Sequence, residues 1–190
     1  MSKQKVQKFS TGELIRYASY EAGHAVVGHV IGRLIEEVSI LPDRELGYKG
    51  YCRFSDFMES ANDHLEWQRG SANPEIITIL YAGTVAMEIV CGRHGWKYEL
   101  WRGCDQADLD AIDEWCLEML TDDTQRAAVK ATGLAQARDM LIGHWDAVDA
   151  LATVLVVYGR VTGGEAHRII RQALGETKPD WRLATWNIKE

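Results

Sequence analysis

Five residues near the N-terminus, Tyr20 to His24, combine side-chain types that could do hydrolytic chemistry. Glu21 and His24 are three positions apart, and Tyr20 precedes Glu21. Residues four apart lie on one face of a helix, so Tyr20 and His24 are expected to point the same way. The zinc-binding H-E-x-x-H helix uses this spacing, with two histidines as metal ligands and the glutamate as general base. Here Tyr20 stands at the first histidine position, so Glu21 is the candidate base and His24 a candidate ligand.

Two interpretations of this helix stay open. Tyr20 could ligate a metal through its phenol oxygen, because a bound cation can lower the pKa of that group from its usual value near 10. Alternatively, the helix is amphipathic and His24 is a packed side chain without a metal. His29 lies about 140° around the helix from His24 and so cannot share a metal with it from the same face. The remaining histidines are expected to be surface or packing residues: His64, His94, His144 and His167.

The elements that must position these residues are predicted to be mostly helices. Ser10 and Glu13 have the spacing of a capping box, which starts a helix that should end near Gly32. A second capping box is predicted at Thr162 and Glu165. Alternation of apolar and polar residues predicts a strand over 37–41, and a returning strand is expected over 46–54. Further helices are predicted to start at the Asn73-Pro74 pair and to run over 105–120, 123–143, 145–158 and 166–174.

Composition limits the class of protein. The chain has 190 residues, of which 46% are hydrophobic and 26% charged, as expected for one globular domain. Its 21 basic and 28 acidic residues give a net charge of −7, which argues against nucleic acid as a partner. The four cysteines show no paired spacing typical of zinc ribbons. No secretory signal or membrane span is apparent, so a cytoplasmic protein with reduced thiols is expected.

Several segments, in order along the chain, resemble the peptidase domain of the FtsH-type, AAA-linked zinc metalloproteases. Residues 20–27, Y-E-A-G-H-A-V-V, are similar to that family's H-E-A-G-H-A-V-V helix. Residues 38–42 and 46–48 resemble its hairpin beside the active site. Residues 82–92 resemble its G-R-A-A-E-E-x-x-F-G helix, and residues 103–109 its G-A-x-x-D-L turn. Residues 144–170 resemble its last helices, so the likeness spans about residues 12–172.

This resemblance implies a mainly α, zincin-like peptidase domain with a small β-hairpin or short sheet. It implies Glu21 as general base, His24 as the second zinc ligand and Asp108 as the third. The match needs one extra residue before Asp108, so Asp105 is a rival for that ligand position. From the residues alone, Asp105 could instead cap the following helix, with Asp108 in its favourable first turn.

The implied function is peptide-bond hydrolysis by a zinc-activated water, acting on peptides or unfolded proteins. The alternative is a pseudo-peptidase that binds a peptide or partner without cutting it, which the replacement by Tyr20 favours. Family members couple this domain to an ATPase motor, but this sequence has no G-x-x-x-x-G-K-[ST] motif, so an ATP site is not expected and a motor would be a separate chain. The expected organisation is a flexible tail over 1–11, a metallopeptidase-like domain over 12–175 and a tail over 176–190.

Overall fold

A computed structural model of the chain describes residues 9–42, 50–55, 74–98 and 106–176. Most of these residues are helical, and the strands form one small antiparallel sheet, which confirms the expectation of a mainly α fold. The helices within the described ranges are α1 (Thr11–Ile31), α2 (Glu75–His94), α3 (Gln106–Met119), α4 (Asp123–Gly143), α5 (Trp145–Tyr158) and α6 (Gly163–Ala173). The strands are β1 (Ile35–Ser39), β2 (Tyr51–Phe54) and β3 (Arg160–Thr162).

Helix α1 begins and ends where its local sequence predicts. The Ser10 hydroxyl accepts a hydrogen bond from the backbone N–H of Glu13, and the Glu13 carboxylate accepts one from the Ser10 backbone. This reciprocal capping box satisfies amide groups that the first turn leaves unpaired. At the other end Gly32 adopts the left-handed conformation with φ of 98°, which a residue without Cβ reaches at little cost. Helix α1 thus starts one residue before the predicted domain boundary at 12.

The sheet has the strand order β2-β1-β3, with both pairs antiparallel. Strand β1 starts at Ile35, two residues before the predicted position, and a register shift follows between Ile35 and Glu37. Strand β2 falls within the predicted returning strand, whose residues 46–49 lie outside the described ranges. Strand β3 was not predicted. Its three residues join α5 to α6 and pair with β1 on the side opposite β2. The sheet thereby packs against α1.

The core is formed around α1 and α2, which cross at very short distance. A Cβ added at Gly23 would lie 2.6 Å from the Cβ of Ala86 and 2.7 Å from the carbonyl oxygen of Ala82. Glycine at this crossing therefore allows the two helices to approach until their backbones touch. Helices α4, α5 and α6 complete the packing, and their buried side chains include Leu141, Leu151, Leu155 and Ile170.

A buried histidine pair joins the end of α1 to α6. The backbone N–H of Ile35 donates to Nε2 of His167, so this nitrogen must be unprotonated and the ring proton must lie on Nδ1. Nδ1 of His167 is 2.7 Å from Nδ1 of His29, which then accepts that proton's hydrogen bond. Nε2 of His29 lies 3.6 Å from the Glu176 carboxylate. Both rings have a structural role here, as expected for His167.

Two further features of the fold are the apolar character of its core helices and a surface groove. Helix α2 is long and apolar enough to cross a membrane, and 67% of the relevant window is buried inside the protein, as in the core helix of a soluble domain. The bent pair of α4 and α5 also passes the test if taken as one broken span. A groove of about 730 Å³ lies between α5, β3 and α6, with Val154, Tyr158, Arg168 and Ile169 among its walls.

Candidate active site

Helix α1 and the first turn of α3 bring three polar side chains to one point. Tyr20 and His24 lie one turn apart on α1, with their ring centroids 4.8 Å apart in an edge-on contact. The Tyr20 hydroxyl donates a short hydrogen bond to Oδ2 of Asp108. The same oxygen lies 3.1 Å from Nε2 of His24. The structure therefore brings Asp108 to His24, and the rival Asp105 lies outside the described residues.

The orientation of the His24 ring is fixed from its other side. Nδ1 of His24 lies 2.7 Å from the carbonyl oxygen of Ile79 on α2, so Nδ1 must carry a proton and donate it. A histidine that ligates a metal through Nε2 has its Nδ1–H held by a carbonyl or carboxylate in the same way. The Ile79 carbonyl thus directs Nε2 toward Asp108 and Tyr20.

Gly83 on α2 makes room for these groups. A Cβ added at Gly83 would lie 2.4 Å from Nε2 of His24 and 2.7 Å from Cζ of Tyr20, both well inside contact distance. A glycine in a helix interior costs about 1 kcal/mol relative to alanine, so its presence here needs a reason in the packing. The reason is that only a residue without Cβ lets the α2 backbone pack this closely on the rings of Tyr20 and His24.

Glu21 lies beside this group on the side of the sheet. Its side chain is buried, with 6% of its surface exposed, and it makes no hydrogen bond or ion pair with any residue in the described parts of the chain. A Cβ at Gly50 would lie 2.6 Å from Oε1 of Glu21, so the strand backbone closes over the carboxylate. Buried carboxylates are usually paired, so a buried carboxylate without a partner among the described residues is a candidate functional group.

The electrostatics follow from this arrangement. Burial raises the pKa of Glu21 to about 8, against the opposing effect of His24 and with a further contribution from the negative charge of Asp108. Burial lowers the pKa of His24, but the charge and hydrogen bond of Asp108, the Glu21 charge and the Ile79 carbonyl outweigh it and raise the pKa to about 9. Near neutral pH, with no cation bound, the site therefore retains a proton on each of these groups.

These pKa values predict that the chelated protein becomes less stable as pH rises from about 4.5 to 9. The folded protein binds more protons than the unfolded one, because Glu21 titrates near 4.5 and His24 near 6.5 when unfolded. The free energy of unfolding falls with rising pH wherever the folded state holds more protons than the unfolded state. Urea titrations in chelator should show that Glu21→Gln gains stability over the wild type, by on the order of a few kcal/mol at pH 8 and little at pH 4.5.

Glu88→Gln is the matched control for that pH dependence. Glu88 is on α2, partly exposed and paired with Arg138, so its replacement should change stability by no more than about 1 kcal/mol. Equal stability of the wild type and Glu21→Gln across this pH range would show that the Glu21 carboxylate is solvated rather than buried.

The space at Gly83 gives a second prediction. Gly83→Ala should misalign Tyr20 and His24 and destabilise the protein by about 1–3 kcal/mol, because overpacking outweighs the gain in helix propensity. Gly92→Ala on the same helix is the control: nothing lies within 4 Å of its added Cβ, so it should be neutral or stabilise by up to about 1 kcal/mol. Thermal denaturation of both variants measures the difference. If the two alanine variants are stabilised equally, the close approach of Gly83 to the Tyr20 and His24 side chains is wrong.

Residue Cys52 belongs to this site and was not predicted. Gly50, Cys52 and Phe54 alternate onto one side of β2, and Phe54 reaches the α1 backbone at Gly28, where a Cβ would lie 2.3 Å from its ring. Burial raises the pKa of the Cys52 thiol, and the charges of Glu21 and Asp108 raise it further. The thiol is therefore protonated and unreactive. The period-two pattern from Gly50 to Phe54 is the sequence signal that could have placed it.

In the part of the chain that the structure describes, no three His, Cys, Asp or Glu side chains are grouped to bind a metal ion. His24 and Asp108 supply two such groups, and the Tyr20 hydroxyl is hydrogen-bonded to the Asp108 carboxylate beside them. The groove between α5, β3 and α6 shares no wall residue with this site. No family model matches the chain, and a comparison with curated proteins found no match either.

Proposed function

We propose that the chain is a metal-dependent peptidase that hydrolyses peptide bonds of peptides or unfolded proteins, with Glu21 as general base. The observation that carries this proposal is the buried Glu21 carboxylate, which has no hydrogen-bond partner in the described residues and lies next to His24 and Asp108. Such a group destabilises the folded protein unless it is protonated. Acid–base chemistry at this position explains why a carboxylate stands there.

The residues present suit a zinc ion, which is the metal that the resemblance to FtsH-type peptidases implies. His24, Asp108 and Tyr20 would hold it, and zinc accepts nitrogen and oxygen ligands of these kinds. One observation supports the fit: the Ile79 carbonyl fixes the His24 ring so that Nε2 faces the Asp108 carboxylate, to which the Tyr20 hydroxyl is also hydrogen-bonded. When bound, zinc supplies Lewis-acid polarisation of a carbonyl group and lowers the pKa of water.

Glu21 moves the proton in this mechanism. Its carboxylate would accept a proton from the attacking water and deliver it to the leaving amine, as a base and then an acid. Its position supports both steps, because the buried carboxylate lies beside His24 and Asp108. Gly50 lies against Oε1 and shields this carboxylate from bulk water.

The sheet supports a peptide as the substrate. Strand β2 is at the edge of the described sheet and runs directly from Gly50, the residue in contact with Glu21. An extended chain could pair with the side of β2 that no described strand occupies, through backbone hydrogen bonds that read no particular side chain. This arrangement suits unfolded proteins or peptides. We propose that the hydrolysing domain is mainly α, zincin-like and cytoplasmic. Where necessary, an ATPase on a separate chain would supply its substrate.

A second candidate is the pseudo-peptidase, and one observation favours it. The Tyr20 hydroxyl donates to the same Asp108 oxygen that faces His24. This hydrogen bond ties α1 to α3 without a metal, so the site could persist as a fixed part of a binding groove. In this version the chain binds unfolded peptides and cuts none.

Cleavage of an unfolded, fluorescently quenched peptide tests the proposal. The chain is stripped with a chelator, reloaded with zinc and compared with the His24→Ala variant. We expect cleavage that needs the metal and is lost in His24→Ala, but is retained in His94→Ala, whose ring is exposed and stacks on Trp96. Peptide binding without any cleavage in the zinc-loaded wild type would favour the pseudo-peptidase.

A further inference from the structure

Helix α5 has one apolar face in the core and a second apolar face on the surface. Leu151 and Leu155 belong to the core face and are fully buried. Ala150, Val154 and Tyr158 are four positions apart, so they lie together on the second face. Tyr158 is 72% exposed, and Val154 is partly exposed. This second face forms one wall of the groove between α5, β3 and α6.

Helix α6 supplies the opposite wall in the same way. Ile169 and Ala173 are one turn apart, apolar and partly exposed, and they line the groove. The charged residues Glu165 and Arg168 lie beside them. The groove's volume of about 730 Å³ is within the range of about 300–1,000 Å³ that is typical of binding sites in proteins. Two apolar walls with charged groups beside them form a surface that can take up the apolar side chains of another segment.

The chain leaves α6 beside this groove. Ala173, the last residue of α6, is one of the wall residues. Gly175 is left-handed with φ of 68°, and the backbone N–H of Glu176 donates to the carbonyl oxygen of Arg171, so the helix ends in a tight turn. Trp181 follows Glu176 by five positions, which an extended chain spans in about 17 Å, whereas α6 is about 16 Å long. Its ring can therefore reach any part of the groove.

Residues 177–190, which follow this turn and lie outside the described ranges, carry large apolar side chains. Two of them are the tryptophans Trp181 and Trp186, whose rings bury a large area wherever they make contact. Because these residues are tethered beside the groove, their effective concentration there is on the order of millimolar, far above that of a separate chain in dilute solution. Even a weak contact with the groove is therefore populated by this segment before any other.

We infer that residues 177–190 dock in the groove between α5, β3 and α6 and insert a tryptophan ring between Val154 and Ile169. The docked segment covers apolar surface that would otherwise be open to other chains. This inference does not depend on the proposed function, because the groove shares no wall residue with the candidate active site.

Photo-cross-linking of the full chain tests the inference. Tyr158 is replaced by p-benzoylphenylalanine, which should preserve the fold because this position is exposed. Isotopically light and heavy copies of the chain are mixed before irradiation, and the cross-linked peptides are identified by mass spectrometry. We expect cross-links from position 158 to residues 177–190 of the same copy. The same amino acid in place of Ile142, which is 64% exposed on α4 and is not a wall residue of the groove, should give no such product.

The tryptophans give the test its specificity. Combining Trp181→Ala with Trp186→Ala should lower the yield of the cross-link at least about tenfold, as expected when the aromatic anchors of a contact are removed. Asn187→Ala, which alters a polar neighbour, should leave the yield within about twofold. Cross-links that join light to heavy copies would show that a second copy occupies the groove and would overturn the inference. So would a yield that survives the loss of both tryptophans, or the absence of any cross-link to residues 177–190.

Discussion

Glu21→Gln is expected to lower the rate of peptide hydrolysis by about 10²–10⁴-fold, the usual contribution of a general base. Glutamine has nearly the same shape, so it fits under Gly50, but it cannot accept the proton of the attacking water. The loss should appear in kcat, because a base acts on the reacting atoms. Zinc affinity should change little, since Glu21 is not among the proposed ligands.

The measurement is steady-state cleavage of the unfolded peptide, with zinc content determined on the same samples. Glu88→Gln again provides the control, because Glu88 pairs with Arg138 away from the site and its loss should leave kcat within about twofold. If Glu21→Gln cleaved the peptide at the wild-type rate with zinc bound, the assignment of Glu21 as the base would be wrong. Catalysis would then need a different proton acceptor.

Tyr20→His is expected to tighten zinc binding by at least about 10–100-fold, the range seen when even the supporting partners of ligands are changed. The phenol must lose a proton of pKa near 10 and give up its hydrogen bond to Asp108 before it can ligate. An imidazole, whose ordinary pKa is near 6.5, gives up its proton to a cation far more readily than a phenol does. Histidines at positions 20 and 24 would also lie on one face of α1, as two zinc ligands of one helix require.

Competition against a chromophoric chelator measures this affinity. Tyr158→His is the matched control, since it adds the same imidazole at an exposed position beside the groove between α5, β3 and α6. It should leave the tight zinc site unchanged. Equal zinc affinities of the wild type and Tyr20→His would show that position 20 does not share a ligand site with His24.

Local signals in the sequence predicted the helices well. The capping boxes at Ser10 and Thr162 and the glycine at the end of α1 act within a few residues, so the sequence alone locates them. Strand β3 was missed because three residues carry no periodic pattern. Its extended form comes from pairing with β1, a contact between positions more than a hundred residues apart.

The candidate site was predicted in part. The spacing of Glu21 and His24 placed them on one helix, and the family resemblance suggested Asp108, which the structure brings to His24. The roles of Gly83 and the Ile79 carbonyl could not be predicted, because they depend on how closely α2 crosses α1. The same is true of the isolation of Glu21 from hydrogen-bond partners in the described residues, since it arises where the edge of the sheet covers the helix.

A zinc-edge anomalous difference map from crystals of the zinc-loaded wild type locates any metal bound at His24. We expect one strong peak within bonding distance of Nε2 of His24, the Asp108 carboxylate and the Tyr20 oxygen, with the Tyr20–Asp108 hydrogen bond broken and Glu21 beside the metal. A map with no peak at His24, and with the Tyr20 hydroxyl still donating to Asp108, would contradict it.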